Sequence, residues 1–280
     1  MGNTFERIVT GTLEYMKNSG LKSMVLGISG GIDSSVCAAV CWEVVRREPT
    51  LEFYGVSLPC STNERVEVGT ASKIGKAFFK DGNFWETNLQ GTFECVGALC
   101  SEHILNTPLS QGNIKARLRN IYLRDLAGKT GGLVIDTDNL SEHYTGFFTI
   151  HGDQGDLNPI GDLWKHEVYE LAEWLVSEYL TDEAQKDALR DSMSLVPTDG
   201  NGVQAGGDLA QIAPSLKNYN ELDDILKTYI EYTGHHTEEY LIALDELNQK
   251  YGEETVSRVV ERYRRSEFKR KPLPVKISLS

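Results

Sequence analysis

Apolar positions Phe5, Ile8, Val9, Leu13, Tyr15 and Met16 recur at roughly helical spacing across residues 4–19, and Ser19-Gly20 ends the run. This spacing predicts an amphipathic helix. A short apolar stretch from Met24 to Ile28 then breaks into Ser29-Gly30-Gly31, and Asp33-Ser34-Ser35 opens an amphipathic run to about Arg47. The pattern predicts a strand at about 23–29, a tight glycine turn, and a helix at about 33–48. Leu51–Leu58 reads as a second strand ending at Pro59, residues 62–79 as a helix, and Phe84–Leu89 as a short third strand. Helical stretches follow at about 90–105 and 113–128. Gly131-Gly132 leads into a fourth strand, whose carboxyl-end loop carries Thr137 and Asp138.

Strands that alternate with helices predict an α/β fold with a doubly wound parallel sheet and right-handed crossovers. Ligands collect at the carboxyl ends of such strands, where the strand order reverses. The Ser29 turn and the Thr137-Asp138 turn both sit at strand carboxyl ends, so they are expected to face one pocket. The remainder reads as helical at about 165–178, 182–192, 219–231 and 237–264. Between these, the glycine-rich residues 199–207 show no apolar periodicity and read as part of a mobile loop, about 199–215, beside a site. The expected organisation is a single domain over 1–280. It has an N-terminal helix (1–22), an α/β core (23–180) and a helical C-terminal part (181–280) ending in a basic tail.

The net charge of -13 disfavours a protein that coats nucleic acid, where a basic stripe supplies most of the affinity. No apolar run approaches the length needed to span a bilayer, and the N-terminal residues lack a signal-peptide pattern, so the cytoplasm is the expected location. Cys37, Cys41, Cys60, Cys95 and Cys100 form no Cys-x-x-Cys pair and read as free thiols in a reducing compartment. One basic cluster opposes the acidic trend: Arg262, Arg264, Arg265, Lys269, Arg270 and Lys271. It reads either as a solvated helix end or as a phosphate contact.

The glycine turn carries the most chemistry. Gly30 and Gly31 let backbone N–H groups approach an anion, and the helix N-terminus adds its positive dipole end. Ser29, Ser34 and Ser35 can donate further hydrogen bonds to phosphate oxygens, whereas Asp33 would repel phosphate unless a cation lay between. The combination points to Mg²⁺-pyrophosphate. The loop is neither a Walker A motif nor a Gly-x-Gly-x-x-Gly fingerprint. Its string Ser-Gly-Gly-x-Asp-Ser is instead the signature of the PP-loop ATP pyrophosphatases, which cleave ATP between the α and β phosphates.

Further along, Asn113-Ile-Lys-Ala-Arg-Leu-Arg119 lies in a helix, with Asn113 and Arg117 on one face and Lys115 and Arg119 on another. Residues 137–149 place Thr137, Ser141 and Glu142 after the fourth strand, with Ser141-Glu142 starting a short helix. Glu142 could be a second carboxylate for Mg²⁺, which takes oxygen ligands plus substrate phosphates.

Together these stretches resemble the NAD synthetases, one branch of the PP-loop group. The matching segments are Gly27–Ser34, Asn113–Arg119, Thr137–Thr149, Gly152–Pro159, Lys165, Pro197-Thr198 and Ser266–Arg270, in the family's order and over most of residues 23–272. The resemblance implies an adenine nucleotide alpha hydrolase-like, Rossmann-like fold with added C-terminal helices. It implies that Gly27, Ile28, Ser29, Gly30, Gly31, Ile32, Asp33 and Ser34 bind the ATP phosphates, and that Thr137, Lys165 and Thr198 contact ATP. Asp33, Lys165 and Thr198 would be catalytic, and Asp33 and Glu142 would hold Mg²⁺. Arg117, Asp156 and Lys269 would hold nicotinic acid adenine dinucleotide (deamido-NAD). Its carboxylate would attack the α-phosphate of ATP, releasing pyrophosphate, and ammonia would then displace AMP to give NAD.

Four departures from the family pattern fall on substrate-contact positions more than on the ATP loop. Ile150 stands where the bacterial pattern has Lys, Phe268 where it has His, the Gly152–Asp156 segment is one residue shorter, and residues 199–207 replace the usual loop. Glutamine-dependent relatives carry an additional glutaminase domain ahead of this region, and the expected nitrogen source here is free ammonia. Family members are homodimers with the dinucleotide site at the subunit interface, so a homodimer is expected. Other readings of the same loop are another PP-loop ligase, a tRNA thiolase, and a nucleotide-binding sensor without turnover.

Overall fold

The computed structural model describes residues 1–100, 107–197, 207–232 and 238–271. Among them, four parallel strands form one sheet: β1 (Ser23–Gly27), β2 (Glu52–Ser57), β3 (Phe84–Glu86) and β4 (Leu133–Val134), in the order β3-β2-β1-β4. The helices of the first part are α1 (Gly2–Ser19), α2 (Ile32–Arg47), α3 (Arg65–Phe78), α4 (Gln90–Cys100), α5 (Pro108–Thr130), α6 (Leu140–Thr145), α7 (Lys165–Trp174) and α8 (Glu183–Ser194). Those of the second part are α9 (Gly207–Ile212), α10 (Tyr219–Tyr232), α11 (Glu238–Tyr251) and α12 (Glu253–Arg265). None of the described helices is long and apolar enough to cross a membrane.

The central strand β1 is covered on both faces, which is why it reads as an unbroken apolar run rather than an alternating one. Met24 and Leu26 join the main core with α2, whereas Val25 packs with Ala127 of α5 and Val134 of β4. In register, Val25 pairs with Tyr54 on one side and Val134 on the other. The chain runs outward through β1, β2 and β3, then returns to the opposite side of β1 as β4. The order therefore reverses between β1 and β4, and their carboxyl ends flank the crevice where such sheets bind ligands. This is the doubly wound arrangement expected from the sequence.

The helices α9 to α12 build a second core from Ile212, Leu222, Ile225, Leu226, Leu247, Val256 and Val259 among others. It meets the α/β part through contacts of α10 with α6 and α7, and of α12 with α6.

Several boundaries differ from the sequence reading. The single helix expected at 237–264 is two, because Gly252 takes a left-handed φ of 86° between α11 and α12. α5 starts earlier than expected, with Pro108 at its first position and Thr107 Oγ1 accepting the Ser110 N–H at 3.1 Å. The fourth strand is short, Leu133–Val134; beyond it Ile135 makes a single parallel bridge to Leu157, and the Asp156 carboxylate accepts the Val134 N–H at 3.0 Å. Of the expected loop at about 199–215, residues 199–206 lie outside the described residues, and Gly207–Ile212 is helical.

Candidate active site

The Ser29-Gly30-Gly31 turn can form only because Gly30 has no side chain. Its φ is 91°, and a Cβ there would lie 2.4 Å from the Glu67 carbonyl oxygen of α3. Gly30 thus lets the loop pass tightly against α3, and Gly31 caps α2 in extended geometry. The Ser29 hydroxyl accepts the Gly31 N–H at 3.1 Å, and the Ser34 hydroxyl donates to the Gly31 carbonyl at 3.1 Å. Ser35 departs from its expected role as a phosphate donor: it is fully buried, and its hydroxyl is held by the Gly31 carbonyl (2.8 Å) and Ser192 Oγ (2.7 Å).

Beyond this turn opens a cavity of about 510 Å³ at the carboxyl ends of β1 and β4. Gly27, Ile28, Ser29, Gly31, Ile32, Asp33 and Ser34 line it, with Thr137, Glu142 and Lys165 on the facing wall. Lys165 is almost fully buried, and its ammonium pairs with Asp33 and, at 3.0 Å, with Glu142. Burial works against its charge, yet Asp33 and Glu142 outweigh it and hold its pKa well above that of an ordinary lysine. The buried side chain of Asn139 ties the pair together. Its Nδ2 donates to Asp33 Oδ1 (2.9 Å), and its Oδ1 accepts the Glu142 N–H (3.1 Å). Asn139 is the cap of α6, which begins at Leu140, just ahead of the Ser141-Glu142 start expected from the sequence.

Two carboxylates converging on one cation, beside a helix N-terminus and a glycine turn, are chemically able to take a polyphosphate together with a metal ion. Among the described residues, no group of three His, Cys, Asp or Glu side chains is placed to hold a metal alone. Asp33 and Glu142 supply hard oxygen donors but too few of them, which suits an ion completed by phosphate oxygens and water.

The family model described as NAD synthase matches residues 4–192. The chain belongs to the NAD synthase family. An NH3-dependent NAD(+) synthetase of Wolinella succinogenes is 30% identical over 94% of this chain and 90% of its own length. A glutamine-dependent NAD(+) synthetase of Thermotoga maritima is 28% identical over 99% of this chain, which spans only 45% of that relative. Among solved structures, an NMN synthetase from Francisella tularensis superposes with a TM-score of 0.74 over 98% of each chain at 24% identity. An NH3-dependent NAD synthetase from Campylobacter jejuni gives 0.71 at 22% over 99% of each chain. At such identities these likenesses establish the fold alone.

In this NAD synthase family member the expected substrate residues are spread over different surfaces. Lys269 lines the main cavity, donating to the Gly146 carbonyl (2.7 Å) and the Phe148 carbonyl with its ammonium 5.1 Å from the Phe148 ring centre. Burial, then the nearby Arg262, pulls its pKa down. Arg117 lies elsewhere, in a second depression of about 400 Å³ with Arg124, His151 and Gln154. It reaches the carbonyl of Ile150, the residue that stands where the family pattern has Lys. Asp156 lines neither cavity; it pairs with Arg124 at 2.7 Å and accepts the Val134 N–H. Thr198 lies outside the described residues.

Other residues enter the site to which the sequence reading gave no definite role there. Arg262 of α12 reaches the cavity, donating to the Thr145 carbonyl at 2.7 Å over the Phe147 ring. Arg119, on the helix face away from Arg117, lines the cavity with Asn113. Asp138 and Asp153 add an acidic wall. Burial, then the charges of Asp136 and Glu142, lifts Asp138 well above the usual carboxylate range, and burial lifts Asp153 to about 6. The Asn139-x-x-Glu142 spacing is a readable capping box, so Asn139 could have been found from sequence. The basic cluster at the end of α12 was the signal for Arg262, and it meets the phosphate-contact reading only in that residue's placement on the cavity.

Proposed function

We propose that this chain catalyses the ATP-dependent amidation of deamido-NAD by ammonia, giving NAD, AMP and pyrophosphate. The observation that carries the reading is the Asp33–Lys165–Glu142 cluster set against the Ser29-Gly30-Gly31 turn, within a chain of the NAD synthase family. The N-terminus of α2 and the turn amides face the phosphate that becomes pyrophosphate, and the Lys165 ammonium offsets charge as the α–β bond breaks. Asp33 and Glu142 would hold Mg²⁺, which supplies charge neutralisation on the phosphates. Thr137 and Thr198 would contact ATP, while Arg117 and Lys269 would hold the dinucleotide, with Asp156 acting through its pair to Arg124 beside Arg117.

In the first step a carboxylate oxygen of the substrate forms a bond to the α-phosphorus, and the bond to the β-phosphate breaks. In the second, ammonia attacks the acyl carbon and AMP leaves. Asp153, which lines the cavity, can accept the proton that ammonia loses as it becomes the amide. No protein nucleophile is required, and proximity of the bound reactants supplies much of the rate. The match over nearly the whole Wolinella enzyme supports free ammonia as the donor. A homodimer with the second depression at its interface is part of the same reading.

The test is a purified-protein assay with Mg-ATP, deamido-NAD and ammonium, following NAD and AMP, beside an Asp33→Ala sample. NAD formed in step with AMP and lost in the variant supports the reading. AMP release only with nicotinic acid mononucleotide, or only with glutamine, would overturn the substrate or the donor respectively. ATP binding without AMP release under every condition would leave a sensor.

A further inference from the structure

Asp223 of α10 is completely buried, 58 positions beyond Lys165 in the chain, and its polar contacts are to Ser141 of α6 and to the start of α7. Its Oδ1 accepts the Ser141 hydroxyl, and that same oxygen of Ser141 accepts the Lys165 backbone N–H at 2.9 Å. Its Oδ2 accepts the His166 backbone N–H at 3.2 Å and faces His166 Nδ1 at 2.7 Å. The first N–H groups of a helix have no partner within it. α7 has no side-chain cap from Trp164 before it, so one carboxylate from another layer of the molecule satisfies two of these donors, one directly and one through Ser141.

The consequence reaches the phosphate site because of what is attached to those atoms. Lys165 is the first residue of α7, and its ammonium spans Asp33 and Glu142. Ser141 precedes Glu142 in α6. A single group thus fixes the backbone from which the ammonium projects and the backbone from which one of its carboxylate partners projects. The helix itself is held by the apolar contacts of Leu222, Ile225 and Leu226, which need no carboxylate.

We propose that Asp223 is a positioning residue that aims Lys165 at the phosphate site by bridging α6 and the N-terminus of α7. It touches no substrate. It acts through Ser141 and His166, and it makes the helical C-terminal part a component of the active site rather than an appendage. The catalytic arm of this inference rests on the proposed function; its placement arm does not.

The experiment compares Asp223→Ala, Asp223→Asn and Ser141→Ala in the full chain. Trace labelling of lysines with acetic anhydride, read by mass spectrometry, reports the environment of Lys165 whatever reaction the protein runs. Lys115, also nearly fully buried, is the internal control. In Asp223→Ala, Lys165 labelling rises at least about tenfold while Lys115 stays protected, and kcat for NAD falls up to about 100-fold, as for a displacement near 1 Å, with KM for deamido-NAD within threefold. Asp223→Asn keeps an oxygen for the His166 N–H and an amide for Ser141 Oγ, and it recovers both values to within about threefold of the parent.

Unchanged Lys165 labelling, equal rises at Lys165 and Lys115, or an Asn variant as impaired as the Ala variant would each overturn the proposal. Where Asp223→Ala does not fold, Ser141→Ala decides: it must raise Lys165 labelling alone. If the parent makes no NAD, the proposed function fails while the labelling still tests the placement.

Discussion

Asp33 and Lys165 stand 132 positions apart in the chain and form an ion pair at the meeting point of two helix starts. Asp33 lies in the first turn of α2, where the dipole favours an anion, but Lys165 is the first residue of α7, where the dipole opposes a cation. Its charge persists there because Asp33 and Glu142 flank it. The result is a small region in which two helix N-termini and a buried ammonium all favour negative charge, at the crevice where the strand order reverses. An incoming polyphosphate would compete with Asp33 and Glu142 for Lys165, and that competition is where a divalent cation between carboxylate and phosphate becomes useful.

Lys165→Met is expected to lower kcat/KM for ATP by about 100- to 1000-fold, the scale of losing one preorganised charge contact in a shielded site. It should also cost up to about 3 kcal/mol of stability, since Asp33 and Glu142 would then repel each other while partly screened by the open cavity. A lysine whose folded pKa is raised contributes stability that is complete below its unfolded value of 10.5 and disappears as pH climbs through the folded value. Urea unfolding of parent and variant should therefore differ by a constant amount from pH 6 to 9, and the gap should close only on the strongly alkaline side.

The glycine turn separates a structural glycine from a permissive one. Gly30→Ala forces a positive φ on a residue with a Cβ and drives that carbon into the Glu67 carbonyl, so a loss of about 1–3 kcal/mol from the backbone alone is expected, with more from the clash. At Gly31 the φ is −70° and the nearest atom to an added Cβ is the Ser29 hydroxyl at 3.3 Å. Thermal unfolding should show the Gly30 variant melting several degrees below the Gly31 variant. Equal melting temperatures would remove the close approach to α3 as the reason for glycine at 30.

What could be read from the sequence was whatever is encoded locally. The apolar run of β1 followed by Ser29-Gly30-Gly31 and Asp33 announces strand, turn and helix within a dozen positions, and the PP-loop resemblance rests on those same residues. Glu142 and Lys165 were nameable from family motifs, and all three residues meet at one point in the fold. Asn139 is readable as a cap, but its bond to Asp33 and the reach of Asp223 to α6 and α7 were not legible, because they depend on how distant elements pack. The division of 237–264 was hidden for a related reason: apolar positions continue on both sides of Gly252, and only its left-handed backbone turns the chain. Asn113 and Arg117 share a helix spacing, yet Asn113 lines the main cavity and Arg117 the second depression, since the two cavities lie on adjacent sides of α5.

Asp153→Asn should reveal the strain of the acidic wall. Burial lifts the Asp153 carboxyl from 3.8 to about 6, so the folded state binds the proton more tightly than the unfolded chain does. Such a group makes stability highest below the unfolded value and lowers it as pH rises from 3.8 to about 6, after which the effect is level. The Asn side-chain oxygen can still accept the Thr149 N–H that Asp153 accepts at 2.5 Å. The variant should match the parent near pH 4 and exceed it progressively up to pH 6, then hold that advantage to pH 8. A flat difference across this range in urea unfolding would show that Asp153 titrates normally beside the open cavity.

The spread of Arg117 and Lys269 over separate surfaces gives a kinetic test of how much of the substrate each one meets. Lys269 sits in the main cavity against the Gly146 and Phe148 carbonyls, so its contribution should be felt by any substrate carrying the reacting carboxylate. Arg117 opens onto the second depression beside Arg124 and His151, so its contribution should depend on the distant half of a dinucleotide. Losing one charge-assisted contact of about 1.5–3 kcal/mol corresponds to roughly 10- to 100-fold. Arg117→Ala is expected to raise KM for deamido-NAD by that factor, leaving kcat and KM for ATP near the parent values, and to leave any turnover of nicotinic acid mononucleotide unchanged. Lys269→Met should penalise both substrates alike. If Arg117→Ala weakened the mononucleotide as much as the dinucleotide, the second depression would not be the place where the distant half is bound, and the substrate would have to lie wholly within the main cavity.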